Sequence, residues 1–448
     1  MPFYDREWTW LTKKEFLPLK EKFIVKNLKK LQAKNMKMWN WMKMPSHIKH
    51  FKLDESKNMI KIPNWLRSFF NFENRYWKIK KVNHPDLFNK YKWNELDIKQ
   101  DKAVSELLER NVWFLHASTS IWKTICLAKI IDKLKVRTLI VVQWITLMTQ
   151  MRDDLEEIFS VKCKTLSGTK TKQKGAYEWI IIWNIDTIVK QSKDWLQEFD
   201  LVVIDEVDSC GLTAERRLEF TWNITANFLY WMTWTIKLNH VDNKIFPIYL
   251  WKKTELLEKN FIPTINKVFT GFEYHLDDMK KFYELKEALY TWEDRNKLIV
   301  KTVVDNLWKR KWIVFCEHIA HAELLTETFK NYWIKTFLLI WKIKKADREQ
   351  VKKELIEYKW PCILVGSVKI IGRWFNVPEL SIGFITTAEK FLSNIEQYVW
   401  RIIRKFPWKT NCIWYDFVDD WCSILLNQSK SRNSTYRREY PNCKINLI

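Results

Sequence analysis

The chain has 448 residues, a formal net charge of +23, and an unusual 7 Gly against 28 Trp. Its content of 47% hydrophobic and 29% charged residues is typical of globular proteins and excludes collagen-like, mucin-like and simple disordered classes. No apolar run reaches the roughly 18 residues that cross a bilayer. Residues 1–10 hold no apolar signal core, so we expect a cytoplasmic protein with no membrane partner.

The distribution of charge indicates a class of binding partner, and the cysteines bear on whether the protein has disulfides or a zinc site. Residues 1–100 hold 23 Lys and Arg against 10 Asp and Glu, and such a basic region suits a polyanion such as nucleic acid. A lysine-rich, solvated surface would give the same count. The eight Cys form no C-x-x-C pair and no His cluster stands near them, which favours reduced thiols over a disulfide framework or a zinc site.

In chain order, the apolar pattern predicts a basic accessory region followed by two α/β domains. Residues 1–88 form the accessory region, with helical spacing around Phe16–Leu31 and a β-like segment at Met59–Ile62. Residues 89–250 and 251–426 alternate apolar strands with amphipathic helices, which predicts two parallel α/β sheets. Residues 427–448 form a basic tail that we expect to be loosely ordered.

The predicted elements of the two α/β domains can be listed from the apolar runs. In the first domain the strands are Val112–Leu115, Thr138–Val142, Ile180–Ile182 and Leu201–Ile204, with helices at Lys123–Leu134 and Leu147–Phe159. In the second domain the strands are Ile313–Cys316, Thr336–Ile340, Cys362–Val365, Ile382–Thr386 and Cys412–Tyr415.

The first predicted strand leads into a loop, a Lys-Thr pair and a helix, which is the layout of a phosphate-binding loop. Lys123 would reach the β- and γ-phosphates of ATP, and the Thr124 hydroxyl would bind Mg²⁺. A Lys-Thr pair after a strand also arises by chance. The candidate nucleotide-binding residues of this segment are Ala117, Ser118, Thr119, Ser120, Ile121, Trp122, Lys123 and Thr124.

An acidic pair follows the strand Leu201–Ile204. An apolar strand that ends in Asp-Glu is the Walker B arrangement. Asp205 would hold Mg²⁺ through water, and Glu206 would orient and deprotonate the attacking water. An acidic turn after a buried strand is the alternative interpretation.

In the second α/β domain, Gln397-Tyr398-Val399-Trp400-Arg401-Ile402-Ile403-Arg404 resembles Gln-x-x-Gly-Arg-x-x-Arg, motif six of superfamily 2 helicases. The resemblance implies that Gln397 faces the nucleotide. It also implies that Arg401 and Arg404 are arginine fingers for the γ-phosphate. A basic helix surface would give the same pattern.

Further segments resemble other motifs of this superfamily in the correct order. Gln100 resembles the upstream glutamine that reads adenine. Thr233-Trp234-Thr235 resembles the coupling motif three, and in the motif V-like segment Gly372–Pro378 an Asn, Asn376, replaces the usual Asp. The remaining matches are Leu147–Gln150 for motif Ia, Trp183–Thr187 for motif Ib and Ile313–Cys316 for motif IV.

The resemblance spans about residues 93–420 and implies two RecA-like domains in tandem, with ATP and Mg²⁺ in the cleft between them. It implies a helicase or translocase that moves on nucleic acid. Ile62–Leu66 is similar to the amino-terminal region of phage-type and restriction-type DNA helicases, which favours DNA over RNA. The alternatives are a DEAD-box-like RNA helicase, the motor of a restriction or repair complex with a separate nuclease or repair subunit, and a catalytically dead nucleic-acid-binding protein.

The excess of Trp coincides with the glycines of these motifs. The family has Gly where this chain has Trp122, Trp234, Trp374 and Trp400, and relatives often have Gly at the strand entries Trp113, Trp231 and Trp312. One genetic code reads UGA as Gly and another reads it as Trp. We therefore hypothesise that most of these Trp are Gly in the natural protein. UGG codons at the four motif positions would contradict this hypothesis.

Overall fold

The fold is taken from a computed structural model, which divides the chain into two compact units, Met1–Glu258 and Lys259–Ile448. No described helix is both long and apolar enough to cross a membrane. The structure describes residues 3–4, 8–11, 13–17, 24–26, 47–49, 52–56, 58–63, 73–74, 79, 81–82, 98–117, 121–159, 163–166, 177–207, 220–221, 223–233, 253–256, 261–275, 282–306, 310–368, 370–371, 377–389 and 392–448.

The first unit begins with a small sheet of order β5-β6-β2-β1-β7 and a separate β3-β4 pair. Leu11, Phe16 and Ile60 are buried in the same apolar cluster as the α/β strands that follow. The elements are β1 Phe3–Tyr4, β2 Trp8–Leu11, α1 Lys13–Phe16, β3 Ile24–Lys26, β4 His47–Lys49, β5 Lys52–Asp54, β6 Met59–Pro63 and β7 Glu73–Asn74.

The helical spacing predicted around Phe16–Leu31 agrees with the structure at Phe16, the last residue of α1, but is wrong at Ile24–Lys26. Ile24–Lys26 form a strand that pairs antiparallel with His47–Lys49, and Ile and Val are residues that favour strands. The rest of the segment beyond Leu17 lies outside the described residues. The β-like segment predicted at Met59–Ile62 is confirmed as part of β6.

The rest of the first unit is a seven-stranded parallel sheet of order β10-β11-β9-β12-β13-β8-β14. Its strands are β8 Val112–Ala117, β9 Thr138–Val142, β10 Cys163–Leu166, β11 Tyr177–Asn184, β12 Leu201–Ile204, β13 Phe228–Thr233 and β14 Lys253–Leu256. Its helices are α2 Ile98–Leu108, α3 Ile121–Leu134, α4 Ile145–Phe159, α5 Ile185–Ile188 and α6 Lys193–Leu196.

The second unit repeats this architecture, with a seven-stranded parallel sheet of order β17-β18-β16-β19-β20-β15-β21. Its strands are β15 Thr264–Phe269, β16 Lys311–Cys316, β17 Thr336–Leu339, β18 Cys362–Ser367, β19 Leu380–Ile385, β20 Ile413–Val418 and β21 Ile445–Leu447. Its helices are α7 Phe282–Thr291, α8 Glu293–Asp305, α9 Ile319–Asn331, α10 Lys345–Glu357, α11 Leu392–Ile402 and α12 Ser423–Glu439.

The two parallel sheets confirm the predicted α/β fold class. Strands such as Leu201–Ile204 and Thr138–Val142 are buried along their whole length. A parallel strand covered by helices on both faces is continuously apolar, which explains why these segments are recognisable in the sequence. Strands with polar or alternating sequences, such as Cys163–Leu166 and Ile445–Leu447, were not predicted.

The expectation of a loosely ordered tail is wrong. Residues 423–439 form α12, and β21 pairs with β15. The Arg432 guanidinium donates to both carboxylate oxygens of the buried Asp416, at 2.7–3.1 Å, and the Tyr436 hydroxyl donates to the same carboxylate at 3.1 Å. The polar face of α12 is therefore fixed against β20 by a buried ion pair, which its sequence composition conceals.

The end of α9 has a conformation that normally requires Gly. Trp333 has a φ of +60° and its side chain is 97% exposed. Its N–H donates to the Lys330 carbonyl at 2.8 Å, and the Ile334 N–H donates to the Phe329 carbonyl at 3.2 Å. This pair of bonds is the Schellman motif, in which the left-handed position is usually Gly because a Cβ is unfavourable there.

Other exposed Trp residues of the second unit lie in connections between elements rather than on faces of helices or strands. These connections are the sites where Gly is most useful to a fold. The residues are Trp341, between β17 and α10; Trp360, between α10 and β18; Trp408, between α11 and β20; and Trp421, between β20 and α12. Their positions support the hypothesis that many Trp stand in place of Gly.

We expect Trp333→Gly to raise the free energy of unfolding of the chain by about 1 kcal/mol, because the left-handed conformation costs a residue with a Cβ roughly 1–2 kcal/mol. The neighbouring Tyr332 is the matched control, since it is also exposed but has a φ of −84°. Tyr332→Gly should lower the stability by about 0.5–1 kcal/mol. Denaturant unfolding of the three chains measures both effects, and a loss of stability in Trp333→Gly would contradict the interpretation.

Candidate nucleotide-binding site

The predicted phosphate-binding segment lies where a phosphate loop requires it, between the carboxyl end of β8 and the beginning of α3. Ala117 is the buried last residue of β8, and α3 begins at Ile121. Lys123 and Thr124 are therefore in the first turn of α3, where unpaired backbone N–H groups and the helix dipole favour an anion. Ser118, Thr119 and Ser120, and the side chains of Ile121 and Trp122, lie outside the described residues.

The predicted acidic pair lies at the same edge of the sheet. Asp205 and Glu206 directly follow β12, and the Asp205 N–H donates to the Val141 carbonyl of β9 at 3.0 Å. Glu206 has a φ of +50°, a left-handed conformation that is uncommon for residues other than Gly. Such backbone strain is found most often at functional sites, and here it turns the Glu206 side chain back toward α3.

The Lys123 ammonium joins the two segments. It donates to the Asp205 carboxylate at 3.1 Å and to the Glu206 carboxylate at 2.8 Å. Lys123 and Asp205 are almost fully buried, whereas Glu206 is partly exposed. Residues that are 82 positions apart in the sequence thus form one buried cluster with a net negative charge, at the first turn of α3.

The charges of this cluster depend on each other. Burial alone would lower the pKa of Lys123, but Asp205 and Glu206 raise it above its ordinary value. Burial raises the pKa of Asp205, and Lys123 opposes this shift. Removal of the ammonium would leave a buried carboxylate without its counter-charge, which is among the most costly changes in a protein interior.

Thr124 and Thr233 are buried around this cluster. Thr233 ends β13, the strand that lies between β8 and β12 in the sheet, so the coupling motif begins between the phosphate loop and the acidic pair. The Thr124 hydroxyl lies 4.0 Å from the Met151 sulfur. Gln100 is buried on α2. Trp234 and Thr235 lie outside the described residues.

The motif Ib segment is built on a cap of α5. The Asn184 side chain accepts a hydrogen bond from the Asp186 N–H at 2.9 Å and donates to the Gln143 carbonyl, which follows β9, at 2.6 Å. The Trp183 indole donates to the Thr187 hydroxyl at 2.7 Å. These contacts fix the segment at the same edge of the sheet as the acidic pair.

In the second unit Gln397 and Arg401 lie on α11, and Arg404 lies two residues beyond its end. Arg401 and Arg404 are buried, and burial together with the positive charge of Arg401 lowers the pKa of Arg404 well below its ordinary value. The Gln397 side-chain oxygen is buried and has no hydrogen-bond donor within the described part of the chain. An anionic ligand beside these arginines would reverse the electrostatic cost of their burial. Residues 372–376, which include Trp374 and Asn376, lie outside the described residues.

The sequence does not predict the role of one buried polar residue near the motif-six residues. Lys409, between α11 and β20, is buried and donates to four main-chain carbonyls. A single Lys in a loop carries no pattern that would distinguish it in the sequence. Its contacts depend on how α11 packs against β19.

Comparison with known proteins agrees with this geometry. Residues 94–225 match the family model described as "Type III restriction enzyme, res subunit". The chain is 24% identical over 375 residues to the putative helicase 161L of Invertebrate iridescent virus 6, covering 79% of this chain and 83% of that protein. It is 23% identical over 346 residues to the ATP-dependent DNA helicase uvsW of Enterobacteria phage T4, covering 71% of this chain and 68% of that protein.

Solved structures agree with the fold. The structure of Saccharomyces cerevisiae Dbp5 bound to RNA and ADP BeF3 matches 80% of this chain and 90% of its own chain, with a TM-score of 0.53 and 14% identity. The two parallel α/β units are thus the RecA-like domains of a helicase fold. The ordered motifs, this fold and the similarities to known helicases identify the chain as a superfamily 2 helicase, an enzyme that hydrolyses ATP and acts on nucleic acid.

Proposed function

We propose that this helicase acts on DNA and couples ATP hydrolysis to movement along a strand. The observation that carries the proposal is the buried cluster of Lys123, Asp205 and Glu206 at the carboxyl edge of the first sheet. The N-terminus of a helix favours an anion, so in this proposal a nucleotide phosphate replaces the two carboxylates as the partner of the Lys123 ammonium.

In this proposal Lys123 moves to the β- and γ-phosphates when ATP binds, and the Glu206 carboxylate becomes available to accept the proton of the attacking water. The Thr124 hydroxyl and the Asp205 carboxylate are oxygen donors of the kind that Mg²⁺ prefers, and they would hold that ion. Bound Mg²⁺ would neutralise charge on the phosphate oxygens. The backbone from Ala117 to Trp122 would cradle the phosphates.

Other residues would bind the adenine of ATP and couple hydrolysis to movement of the nucleic-acid strand. Gln100 would read the adenine, and Thr233, Thr235 and Asn376 would couple hydrolysis to strand movement. From the second unit, Gln397, Arg401 and Arg404 would act on the γ-phosphate during hydrolysis. The unpartnered Gln397 oxygen and the buried positive charges of the two arginines support these roles.

The name of one relative favours DNA as the partner, and the charge favours nucleic acid in general. The T4 relative is named an ATP-dependent DNA helicase, and the first hundred residues carry the largest share of the positive charge. Sequence-independent binding through phosphates needs such charge and depends strongly on salt. The match to a restriction-enzyme subunit favours a second candidate function, in which the chain is the motor of a complex with a separate nuclease or repair subunit.

We also infer that the active protein has Gly at positions 122, 234, 374 and 400. A Gly before the lysine lets the backbone approach phosphate without an intervening Cβ. The left-handed Trp333 and the exposed Trp residues in connections support the same replacement outside the motifs. If these Trp are genuine, the chain is a catalytically dead nucleic-acid-binding protein.

Restoring Gly should create or strongly increase ATPase activity. We expect the chain with Trp122→Gly, Trp374→Gly and Trp400→Gly to hydrolyse ATP much faster than the chain with Trp at these positions, because phosphate is no longer excluded from the loop. ATP turnover and nucleotide binding of both chains provide the measurement. Equal turnover in the two chains would contradict the inference.

In the chain with the three restored glycines, Lys123→Ala should lower ATP turnover on the order of 10²–10³-fold through loss of charge stabilisation. Glu206→Gln should lower it by about 10²–10⁴-fold but preserve ATP binding, because it removes the base and not the phosphate contacts. The exposed Lys133, on the same helix, is the matched control, and Lys133→Ala should leave turnover unchanged. Unaltered turnover in Glu206→Gln would exclude its proposed role.

Single-stranded DNA should stimulate ATP hydrolysis more than RNA of the same length and sequence, and the stimulation should weaken as salt rises. ATPase rates with both polymers at several salt concentrations test this. A larger stimulation by RNA would favour an RNA helicase. Translocation without strand displacement would favour the motor of a larger complex.

A further inference from the structure

Lys409 donates to four main-chain carbonyls, two of them at or just beyond the carboxyl end of α11, the helix that carries Arg401. Its ammonium, which is buried, donates to the carbonyls of Ile402 and Arg404 at 2.9 Å each. It also donates to the carbonyls of Pro378 at 2.7 Å and Leu380 at 2.6 Å. Because an ammonium has three hydrogens, four acceptors more than satisfy it, and no side-chain carboxylate takes part in these four bonds.

The four carbonyls belong to two functional segments. Ile402 is the last residue of α11, and its carbonyl is one of those that a helix end leaves without an intrahelical partner. Pro378 ends the motif V segment, and Leu380 begins β19. The Cys412 thiol donates to the same Ile402 carbonyl at 2.7 Å. Lys409 therefore connects the carboxyl end of α11 to the chain that leaves motif V.

The buried positive charge of Lys409 has a cost in free energy, because the ammonium has lost its contact with water. Burial lowers the pKa of Lys409 to about 8; Cys412 opposes the shift, and the nearby Arg404 and Arg310 add to it. Helix carbonyls at the negative end of α11 offset part of that cost. A buried ammonium that is stabilised only by carbonyls is sensitive to small movements of the backbone that carries them.

We propose that Lys409 is a positioning residue for ATP hydrolysis, which sets the placement of Arg401 and Arg404 by tying the end of α11 to the motif V segment. The proposal rests on the proposed roles of those arginines. Within the described residues, the Lys409 ammonium donates to these four main-chain carbonyls and to no side chain, so in this proposal it acts through the arginines and not on the nucleotide. Loss of the tie would shift the guanidinium groups, and a misplacement of about 1 Å costs on the order of 10²-fold in rate.

The second unit also contains a matched control. Lys311 is equally buried and donates to the carbonyls of Leu355 and Ile356 at the end of α10, at 2.6 and 3.3 Å, while it pairs with Glu379. The helix α10 carries none of the helicase motifs. Lys311 and Lys409 thus both bind carbonyls at a helix end, but Lys311 also pairs with Glu379, and only Lys409 binds the end of the helix that carries Arg401.

The test compares Lys409→Met and Lys311→Met in the full chain with the three restored glycines. Thermal unfolding should show a loss of stability for both variants, with the larger loss in Lys311→Met, because that change also leaves Glu379 without its counter-charge. Lys409→Met should lower kcat for DNA-stimulated ATP hydrolysis on the order of 10²-fold with little change in KM for ATP. Lys311→Met should keep kcat within about twofold, since a purely structural loss leaves the arginines in place.

A double variant distinguishes a role of Lys409 in placing the arginines from a general loss of stability. If Lys409 acts through the placement of the arginines, Lys409→Met should add little to the loss of kcat caused by Arg404→Ala, because both changes remove the same contribution to the rate. Additive losses, or a kcat in Lys409→Met as high as in Lys311→Met, would overturn the proposal. If Glu206→Gln in the same background hydrolyses ATP as fast as the parent, the proposed function fails instead.

If Lys409→Met does not fold, the milder change Lys409→Gln decides. Its neutral amide has two N–H donors and cannot replace the bonds to all four carbonyls. A lower kcat with unchanged KM for ATP supports the proposal. An unchanged kcat overturns it.

Discussion

The first unit depends on a buried pair of opposite charges at the edge of its sheet. The Lys123 ammonium is held by Asp205 and Glu206, and the buried charges of Lys123 and Asp205 are tolerable because each faces the other. The strands β8, β13 and β12 carry these residues and Thr233 to the same edge, since parallel strands end together. In the proposed function, nucleotide binding would exchange one set of buried charges for another, which would link the occupancy of the site to the local electrostatics of the sheet.

Much of the fold could be predicted from the sequence because parallel strands are continuously apolar. Leu201–Ile204 is recognisable for this reason, and so is the acidic pair that follows it. The order of the motifs along the chain also predicts which residues meet, because the topology of a doubly covered parallel sheet leaves few alternatives. Lys123 and the acidic pair are brought together as that order implies.

Other features could not be predicted, because they depend on contacts that leave no periodic signal. The left-handed backbone of Glu206 is a local strain that the surrounding strands impose. The sequence of α12 has few apolar residues and is therefore typical of a solvated tail. In the structure one face of the helix is buried, and the Arg432–Asp416 ion pair holds that face in place. The four bonds of Lys409 follow from packing between α11 and β19, and they join residues up to 31 positions apart.

The last strand, β21, has a consequence for how the second sheet avoids association. It pairs in parallel with β15 and is the outermost strand of that sheet. Without β21, the largely buried β15 would present a row of free N–H and C=O groups to other chains, which is a template for edge-to-edge aggregation. The three-residue strand β21 thus covers the edge of the longer, largely buried β15, and fusions or cuts between α12 and β21 would put the solubility of the protein at risk before its activity.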